Sequence, residues 1–132
     1  MIVLDTSVLI DALTGPKRSA RSLRRAIADG ERLLLPSIVL YEWLRGPRLQ
    51  VEVAAQEALF PLQSVAPFGS PEAAKAAALY KALRRPRGRE IDIAIAAIAI
   101  KRAALLWTLN TRDFDDVPDI RLYTPAATDL TD

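Results

Sequence analysis

The stretch Ile2-Val3-Leu4-Asp5-Thr6-Ser7, near the start of the chain, decides the fold class. Its apolar residues follow one another without polar alternation, which is typical of a strand buried on both faces of a sheet. Asp5-Thr6-Ser7 then supplies residue types that favour a helix start, and residues 8–13 continue as a short apolar helix. A buried strand that runs directly into a helix is the unit from which α/β folds are built.

The rest of the chain repeats this pattern of short strand and helix. Further strands are predicted at 33–35, 62–66, 105–109 and 121–123, and helices at 17–29, 37–44, 50–59, 70–85 and 92–103. Short apolar strands that alternate with helices favour a parallel sheet covered on both faces. We therefore predict a single α/β domain over residues 1–132, with a short-stranded central parallel sheet.

The composition narrows the chemistry that the protein could perform. Its 132 residues contain no cysteine and no histidine, which excludes thiolate zinc sites, a thiol nucleophile and imidazole acid–base catalysis. A catalyst of this composition that works at neutral pH must use carboxylates, and carboxylates commonly act by holding a hard cation such as Mg²⁺. The 51% hydrophobic content excludes intrinsic disorder.

No stretch of the sequence predicts a membrane span or a secretion signal. The longest strongly apolar run, residues 91–100, contains Asp92 and is too short to cross a bilayer. Residues 1–5 carry no basic segment of the kind that opens a secretory signal peptide. We therefore expect a cytoplasmic protein that has no membrane partner.

Four acidic residues stand out from the others. Asp5 and Asp113 each follow a predicted strand, Asp92 opens the most apolar helix, and Glu42 interrupts another apolar helix. Each also has a structural interpretation, as a helix cap or, for Glu42, as a narrow solvated strip. Together they are expected at one edge of the sheet, where like charges repel and raise one another's pKa. A divalent cation relieves such repulsion, and Mg²⁺ held by a few carboxylates and water is typical of phosphodiester chemistry.

Several segments carry a family resemblance in the order in which they occur: IVLDTSVLIDAL at 2–13, YEWLRG at 41–46, GREIDIAIAA at 88–97, TLNTRDF at 108–114 and VPDIRL at 117–122. In this order and spacing they resemble the PIN-domain family, most closely the VapC toxins of VapBC toxin–antitoxin pairs. The resemblance implies a three-layer α/β/α fold and a Mg²⁺- or Mn²⁺-dependent endoribonuclease.

The resemblance also implies roles for individual residues. The family's acidic quartet, catalytic and metal-holding, is matched by Asp5, Glu42, Asp92 and Asp113, and its site-lining polar positions are matched by Thr6 and Asn110. The sequence departs from the family pattern at Asn110, where some members have an acid, and at Ile91, where a small residue is common. The fourth ligand is therefore left open between Asn110 and Asp113. In the mechanism implied, metal-activated water hydrolyses an RNA phosphodiester.

Basic residues cluster at 17–25 and at 81–89. Such clusters are often solvated helix faces, and that interpretation stays open for the first of them. The second cluster precedes Asp92, so it is expected to border the acids and to contact RNA phosphates through Arg84, Arg85, Arg87 and Arg89. The resemblance further implies a VapB-like antitoxin as partner and a homodimer.

Two other functions are compatible with an α/β domain of this size. A receiver or phosphatase of similar α/β design is disfavoured, because Thr6-Ser7 follows Asp5 where those phosphatases have Asp-x-Asp, and a receiver's paired acids are missing. A non-catalytic RNA-binding or scaffold PIN domain would be expected to lose some of the acids, whereas all of them are kept here. The ribonuclease toxin is the leading hypothesis, and the scaffold is the alternative.

Overall fold

The structure, a computed structural model, describes residues 1–126. Its sheet contains three short parallel strands, β1 (Ile2–Leu4), β2 (Leu33–Leu34) and β3 (Leu105–Trp107), in the spatial order β2-β1-β3. β1 pairs in register with both neighbours, and Leu4 lies opposite Trp107. The predicted α/β fold with a short-stranded central parallel sheet is therefore confirmed.

Six α-helices pack around this sheet within residues 1–126: α1 (Thr6–Leu13), α2 (Ala20–Ala28), α3 (Ser37–Arg45), α4 (Gln50–Leu59), α5 (Ser70–Ala82) and α6 (Glu90–Lys101). Two short 3-10 turns occur at Leu62–Ser64 and Thr111–Asp113. α6 packs against β1, β3 and α5, whereas α1 packs against α2, α3 and α4. The helix that precedes β3, α6, therefore lies against both β3 and β1.

The core is centred on β1 and α6. Ile2, Val3 and Leu4 are all fully buried, and because alternate strand residues point to opposite faces, both faces of the sheet are covered. In α6 every residue from 93 to 99 is buried. The uninterrupted apolar runs in the sequence have this cause, since neither element presents a face to water. No helix within the described part of the chain is both long and apolar enough to cross a membrane.

The carboxyl ends of β1 and β3 lie side by side. The Asp5 amide donates a hydrogen bond to the Trp107 carbonyl at 2.9 Å, which makes Asp5 and Thr108 neighbours. α6 runs into β3 through residues 102–104 and packs against it, so the start of α6 returns to this same edge. The edge therefore gathers residues from the end of β1, the end of β3 and the first turn of α6.

α3 begins at Ser37 as predicted, with Pro36 in its N-cap position, whereas α6 begins earlier than the sequence predicted. α6 begins at Glu90 with Arg89 as its N-cap, so Asp92 is the third residue of the helix and not its cap. Cap preferences are worth only about 1 kcal/mol, and neighbouring contacts override them easily.

Two predicted strands are reduced to single bridges at the edges of the sheet. The segments concerned are 62–66 and 121–123, and the pairs are Ala66 with Pro36 and Leu122 with Leu106. Pro61 and Pro67 flank the first segment, and a proline cannot donate to a strand ladder. Apolar composition alone therefore overestimated the length of both strands.

Candidate active site

Asp5 is a buried carboxylate at the carboxyl end of β1. The residue is 5% exposed, and although it occupies the N-cap position of α1, its side chain makes no capping hydrogen bond. Oδ2 instead accepts hydrogen bonds from Ser7 Oγ at 2.9 Å and from Thr108 Oγ1 at 2.7 Å. Both donors reach the same oxygen, so neither competes with a ligand for Oδ1. Helix capping therefore does not account for Asp5.

Glu42 lies on α3 and faces the start of α1. Thr6 Oγ1 donates a hydrogen bond of 2.5 Å to Oε1 of Glu42, and Arg45 Nη2 lies 3.3 Å from Oε2. The predicted site-lining position of Thr6 is thus next to an acid. On the same helix Tyr41 and Leu44 are more than half exposed, at 57% and 51%. Glu42 therefore lies on a partly solvated helix surface, with a hydroxyl and a guanidinium as partners.

Asp92 is the acid whose pKa the other three acids raise. Burial, and then the neighbouring carboxylates of Asp5, Asp113 and Glu42, raise the pKa of Asp92 to about 6, while the Arg89 charge lowers it. The structure therefore brings Asp5, Glu42 and Asp113 close enough to act on Asp92. A carboxylate in such surroundings is held in its charged form most readily by a cation.

A cavity of about 340 Å³ between α3 and α6 is lined in part by Glu42, Arg45 and Asp92. Within residues 1–126 no three acidic, histidine or cysteine side chains are gathered closely enough to ligate one ion. Mg²⁺ needs no such cluster, because it usually binds through one or two carboxylates and keeps several water or substrate oxygens. The donor chemistry of this edge, all oxygen and mostly anionic, fits a hard divalent cation of that type.

Asp113 and Asn110 lie beyond β3, and both are exposed. Asp113 ends the short turn at 111–113, and its amide donates a hydrogen bond to the Asn110 carbonyl at 3.0 Å. The Asn110 amide donates in turn to Thr108 Oγ1 at 3.0 Å. The main chain of Asn110 thus supports the hydroxyl that binds Asp5, whereas Asp113 contributes its charge.

Arg89 joins the start of α6 to the segment that carries Asp113. Its guanidinium forms a forked ion pair with Asp116, with Nη2 to Oδ1 at 2.6 Å and Nη1 to Oδ2 at 3.0 Å. Nη2 also donates to the Asp113 carbonyl at 3.0 Å, and Nη1 donates to the Arg85 carbonyl at 3.3 Å. The hydrogen bond to Asp116 raises the pKa of Arg89, and the same bond lowers the pKa of Asp116.

The other predicted RNA-contacting arginines are exposed: Arg84, Arg85 and Arg87. Arg84 and Arg85 line a polar cavity of about 410 Å³ together with Arg89 and Asp116. The Arg89 side chain differs from them, since it is only 22% exposed and is paired with Asp116. The basic run therefore turns three guanidinium groups toward solvent and one toward the protein.

The hydroxyl groups that hold Asp5 were not predicted from the sequence. Ser7 and Thr108 were parts of the motifs, yet neither was singled out. A signal was available, because Thr108 follows β3 directly, just as Asp5 follows β1, and adjacent parallel strands bring such positions together. The pairing of Arg89 with Asp116 had no such signal, since it joins residues far apart in the sequence.

Comparisons with known proteins identify the family and the fold of this chain. The sequence model of the PIN domain family matches residues 2–120. Ribonuclease VapC19 of Mycobacterium tuberculosis is 32% identical over 128 residues, which cover 92% of this chain and 98% of that protein. The crystal structure of DNA-bound VapBC from Salmonella typhimurium matches with a TM-score of 0.77 and 25% identity, over 92% of this chain and 96% of that one. VapBC2 from Rickettsia felis, bound to a DNA fragment from its promoter, has the same fold at 22% identity (TM-score 0.70), over 96% of this chain and 100% of that one.

Proposed function

The chain belongs to the PIN-domain family, and from that membership we propose that it is the ribonuclease toxin of a toxin–antitoxin pair. The observation that carries the proposal is that the charges of Asp5, Asp113 and Glu42 raise the pKa of Asp92. A metal-dependent nuclease uses such a concentration of negative charge to hold its cation. A scaffold PIN domain does not need it, and the repulsion would only lower its stability, so this alternative is not favoured.

Mg²⁺ or Mn²⁺ is the cofactor that we propose. The residues that would hold it are Asp5, Glu42, Asp92 and Asp113. When bound, such an ion supplies Lewis-acid chemistry at the scissile phosphate and at the attacking water. Asp113 is favoured over Asn110 as the fourth ligand because its charge already acts on Asp92.

The chain's own residues prepare the site in distinct ways. Ser7 and Thr108 fix one oxygen of Asp5, so the orientation of that carboxylate is set before any ligand arrives. Thr6 fixes one oxygen of Glu42 in the same way. Asp92 lines the cavity, and its pKa of about 6 leaves it largely ionised at neutral pH, so its carboxylate would be available to hold a cation.

The RNA strand is proposed to follow the exposed arginines. These residues, Arg84, Arg85 and Arg87, border the acidic edge. Within residues 1–126 none of them forms an ion pair with a carboxylate. An acidic site repels a polyanion, so phosphate contacts at its border are needed to bring the scissile bond over Asp92. Arg45 lines the cavity together with Glu42 and Asp92 and adds a further positive charge there.

A VapB-like antitoxin is the partner that we propose. Its inhibitory segment would place an Arg or Lys side chain among the acids, in charge-assisted hydrogen bonds that take the place of the metal. The homodimer and the cytoplasmic location stay predictions. So does the single PIN-like domain over residues 1–132, whose last part, 127–132, lies outside the described residues.

Incubation of the purified protein with total RNA tests the function. We expect cleavage in Mg²⁺ or Mn²⁺, and none in EDTA or with the Asp5→Asn variant. A co-expressed antitoxin from an adjacent reading frame should abolish the cleavage. Cleavage that is undiminished in EDTA would exclude the metal mechanism, and RNA binding without cleavage under all conditions would favour the scaffold alternative.

A further inference from the structure

We propose that Arg89 is a positioning residue of the acidic site, which acts through Asp116 to hold Asp113 beside Asp92. The inference rests on the proposed nuclease function and adds a residue to that same site. It gives Arg89 a different role from the RNA contact that the sequence predicted.

The geometry of the guanidinium carries this inference. Arg89 is the N-cap residue of α6, in the turn that delivers Asp92. The same side chain binds both carboxylate oxygens of Asp116 and the main-chain carbonyl of Asp113. One residue therefore fixes the distance between the first turn of α6 and the segment beyond β3. A forked pair of this kind requires the planar guanidinium, which lysine cannot reproduce.

The segment that carries Asp113 needs such a tie. It consists of a single 3-10 turn with exposed polar residues, anchored in the core by Phe114 and Val117. The charges of Asp113 and Asp92 are alike and close enough to interact, and this repulsion tends to push Asp113 away. Arg89 opposes this in two ways, because it binds the segment and its positive charge acts on both Asp92 and Asp113.

The hydrogen-bonding capacity of Arg89 leaves little for RNA. A guanidinium has five N–H groups, two on each Nη and one on Nε. Nη1 donates to Asp116 and to the Arg85 carbonyl, and Nη2 donates to Asp116 and to the Asp113 carbonyl. Protein acceptors thus occupy the N–H groups of both Nη1 and Nη2, and these groups could bind a phosphate only after the network is broken.

Mn²⁺ binding in the presence and absence of RNA tests the inference. Arg89→Lys keeps the charge and removes the fork, and Asp116→Asn removes the anionic partner. We expect each variant to raise the Mn²⁺ concentration for half-maximal cleavage by about tenfold or more, as is usual when a residue that orients metal ligands is lost. Mn²⁺ binding without RNA, followed by the electron paramagnetic resonance signal of free Mn²⁺, should weaken by the same factor, while the KM for RNA and its salt dependence stay unchanged.

Two controls separate positioning from stability and from RNA contact. Asp29→Asn breaks an exposed ion pair elsewhere, Arg25–Asp29 at 3.4 Å, and should leave Mn²⁺ binding unchanged. Arg87→Ala should raise the KM for RNA without changing Mn²⁺ binding.

The double variant Arg89→Ala/Asp116→Ala should bind Mn²⁺ no more weakly than Arg89→Ala alone, since the two residues act as a unit.

The inference fails if folded Arg89→Lys and Asp116→Asn both bind Mn²⁺ as the wild type does, or if Arg89→Lys changes only the salt dependence of RNA binding. Asp116 has a side chain that is 45% exposed, so its variant is expected to fold and keeps the test decisive where an Arg89 variant does not fold. A wild-type protein that neither binds Mn²⁺ nor cleaves RNA would instead overturn the proposed function itself.

Discussion

Thr108 Oγ1 lies 2.7 Å from Asp5 Oδ2, and this hydrogen bond joins the carboxyl ends of β1 and β3. The same hydroxyl accepts a hydrogen bond from the Asn110 amide at 3.0 Å. Thr108 is thus the middle member of a chain of contacts that runs from the loop beyond β3 to the buried carboxylate. Hydrogen bonds to a buried charge are stronger than those between neutral groups, so this contact contributes both to stability and to the orientation of Asp5.

Thr108→Val tests that contribution, because it keeps the shape of the side chain and removes the hydroxyl. We expect a loss of about 1.5–3 kcal/mol in the free energy of unfolding, since a charged acceptor loses a donor. We also expect about a tenfold rise in the Mn²⁺ concentration needed for cleavage. Urea unfolding and an Mn²⁺ titration measure the two effects. Thr108→Ser should restore most of both, and equal behaviour of the Val and Ser variants would argue against a role for the hydroxyl.

Asp5→Asn and Asp92→Asn test the acids themselves. Each should reduce the rate of RNA cleavage by more than about 100-fold, because loss of the groups that merely orient metal ligands already costs about 10–100-fold in metal affinity or activity. The proteins should stay folded, which circular dichroism can verify. Asp29→Asn, a matched change at an exposed ion pair on another part of the surface, should cleave as the wild type does. Full activity in either site variant would remove that acid from the mechanism.

The position of RNA is tested by the salt dependence of binding. Arg84, Arg85 and Arg87 are exposed, whereas Arg89 is engaged with Asp116. If each of the three exposed groups neutralises one phosphate of a single strand, changing all three to Ala should lower the log–log salt slope by roughly 2, at about 0.7 per contact. The measurement is best made with the inactive Asp5→Asn protein, so that RNA is bound but not cut. An unchanged slope would place the strand elsewhere.

Much of this site could be predicted because its main elements are local in sequence. Asp5 follows a short, uniformly apolar run that favours a buried strand, and the position of a carboxylate at a strand end then follows from the topology of a parallel sheet. Asp92 was placed within two residues of the true helix start, which is enough to predict the edge on which it lies.

What could not be predicted depends on contacts between distant segments. The fork of Arg89 on Asp116 joins residues 27 positions apart, and no periodicity or capping rule refers to that separation. The neighbours of Arg89 in the sequence are exposed arginines, so the whole basic run was interpreted as one RNA-binding surface. In the structure Arg89 is instead paired with Asp116, while its neighbours face solvent. The strand predicted at 62–66 failed for the opposite reason, because its apolar residues satisfied the local pattern while flanking prolines prevented a ladder.

The pKa of Asp92 links the acidic site to stability. Burial, followed by the charges of Asp5, Asp113 and Glu42, raises it from 3.8 to about 6 in the folded, metal-free protein. The folded state therefore binds this proton more tightly than the unfolded state does. Well below pH 3.8 the group is protonated in both states and imposes no penalty. As the pH rises toward 6 the unfolded state loses its proton first, so the free energy of unfolding falls, and the full penalty is present at pH 7.

Asp92→Asn should therefore stabilise the metal-free protein at pH 7 and much less at pH 4. The change removes the ionisation penalty and loses about 0.3–1 kcal/mol of interaction with the helix dipole. After a discount for partial solvent screening, we expect a net gain of about 1 kcal/mol, or about 3–5 °C in Tm. Thermal unfolding of both proteins in EDTA at the two pH values measures this difference. Mg²⁺ at about a hundred times its Kd should then stabilise the wild type by about 2.7 kcal/mol and the Asn variant much less. If Asp92 served only the helix dipole, the variant would be no more stable than the wild type in EDTA, and neither protein would respond to the metal.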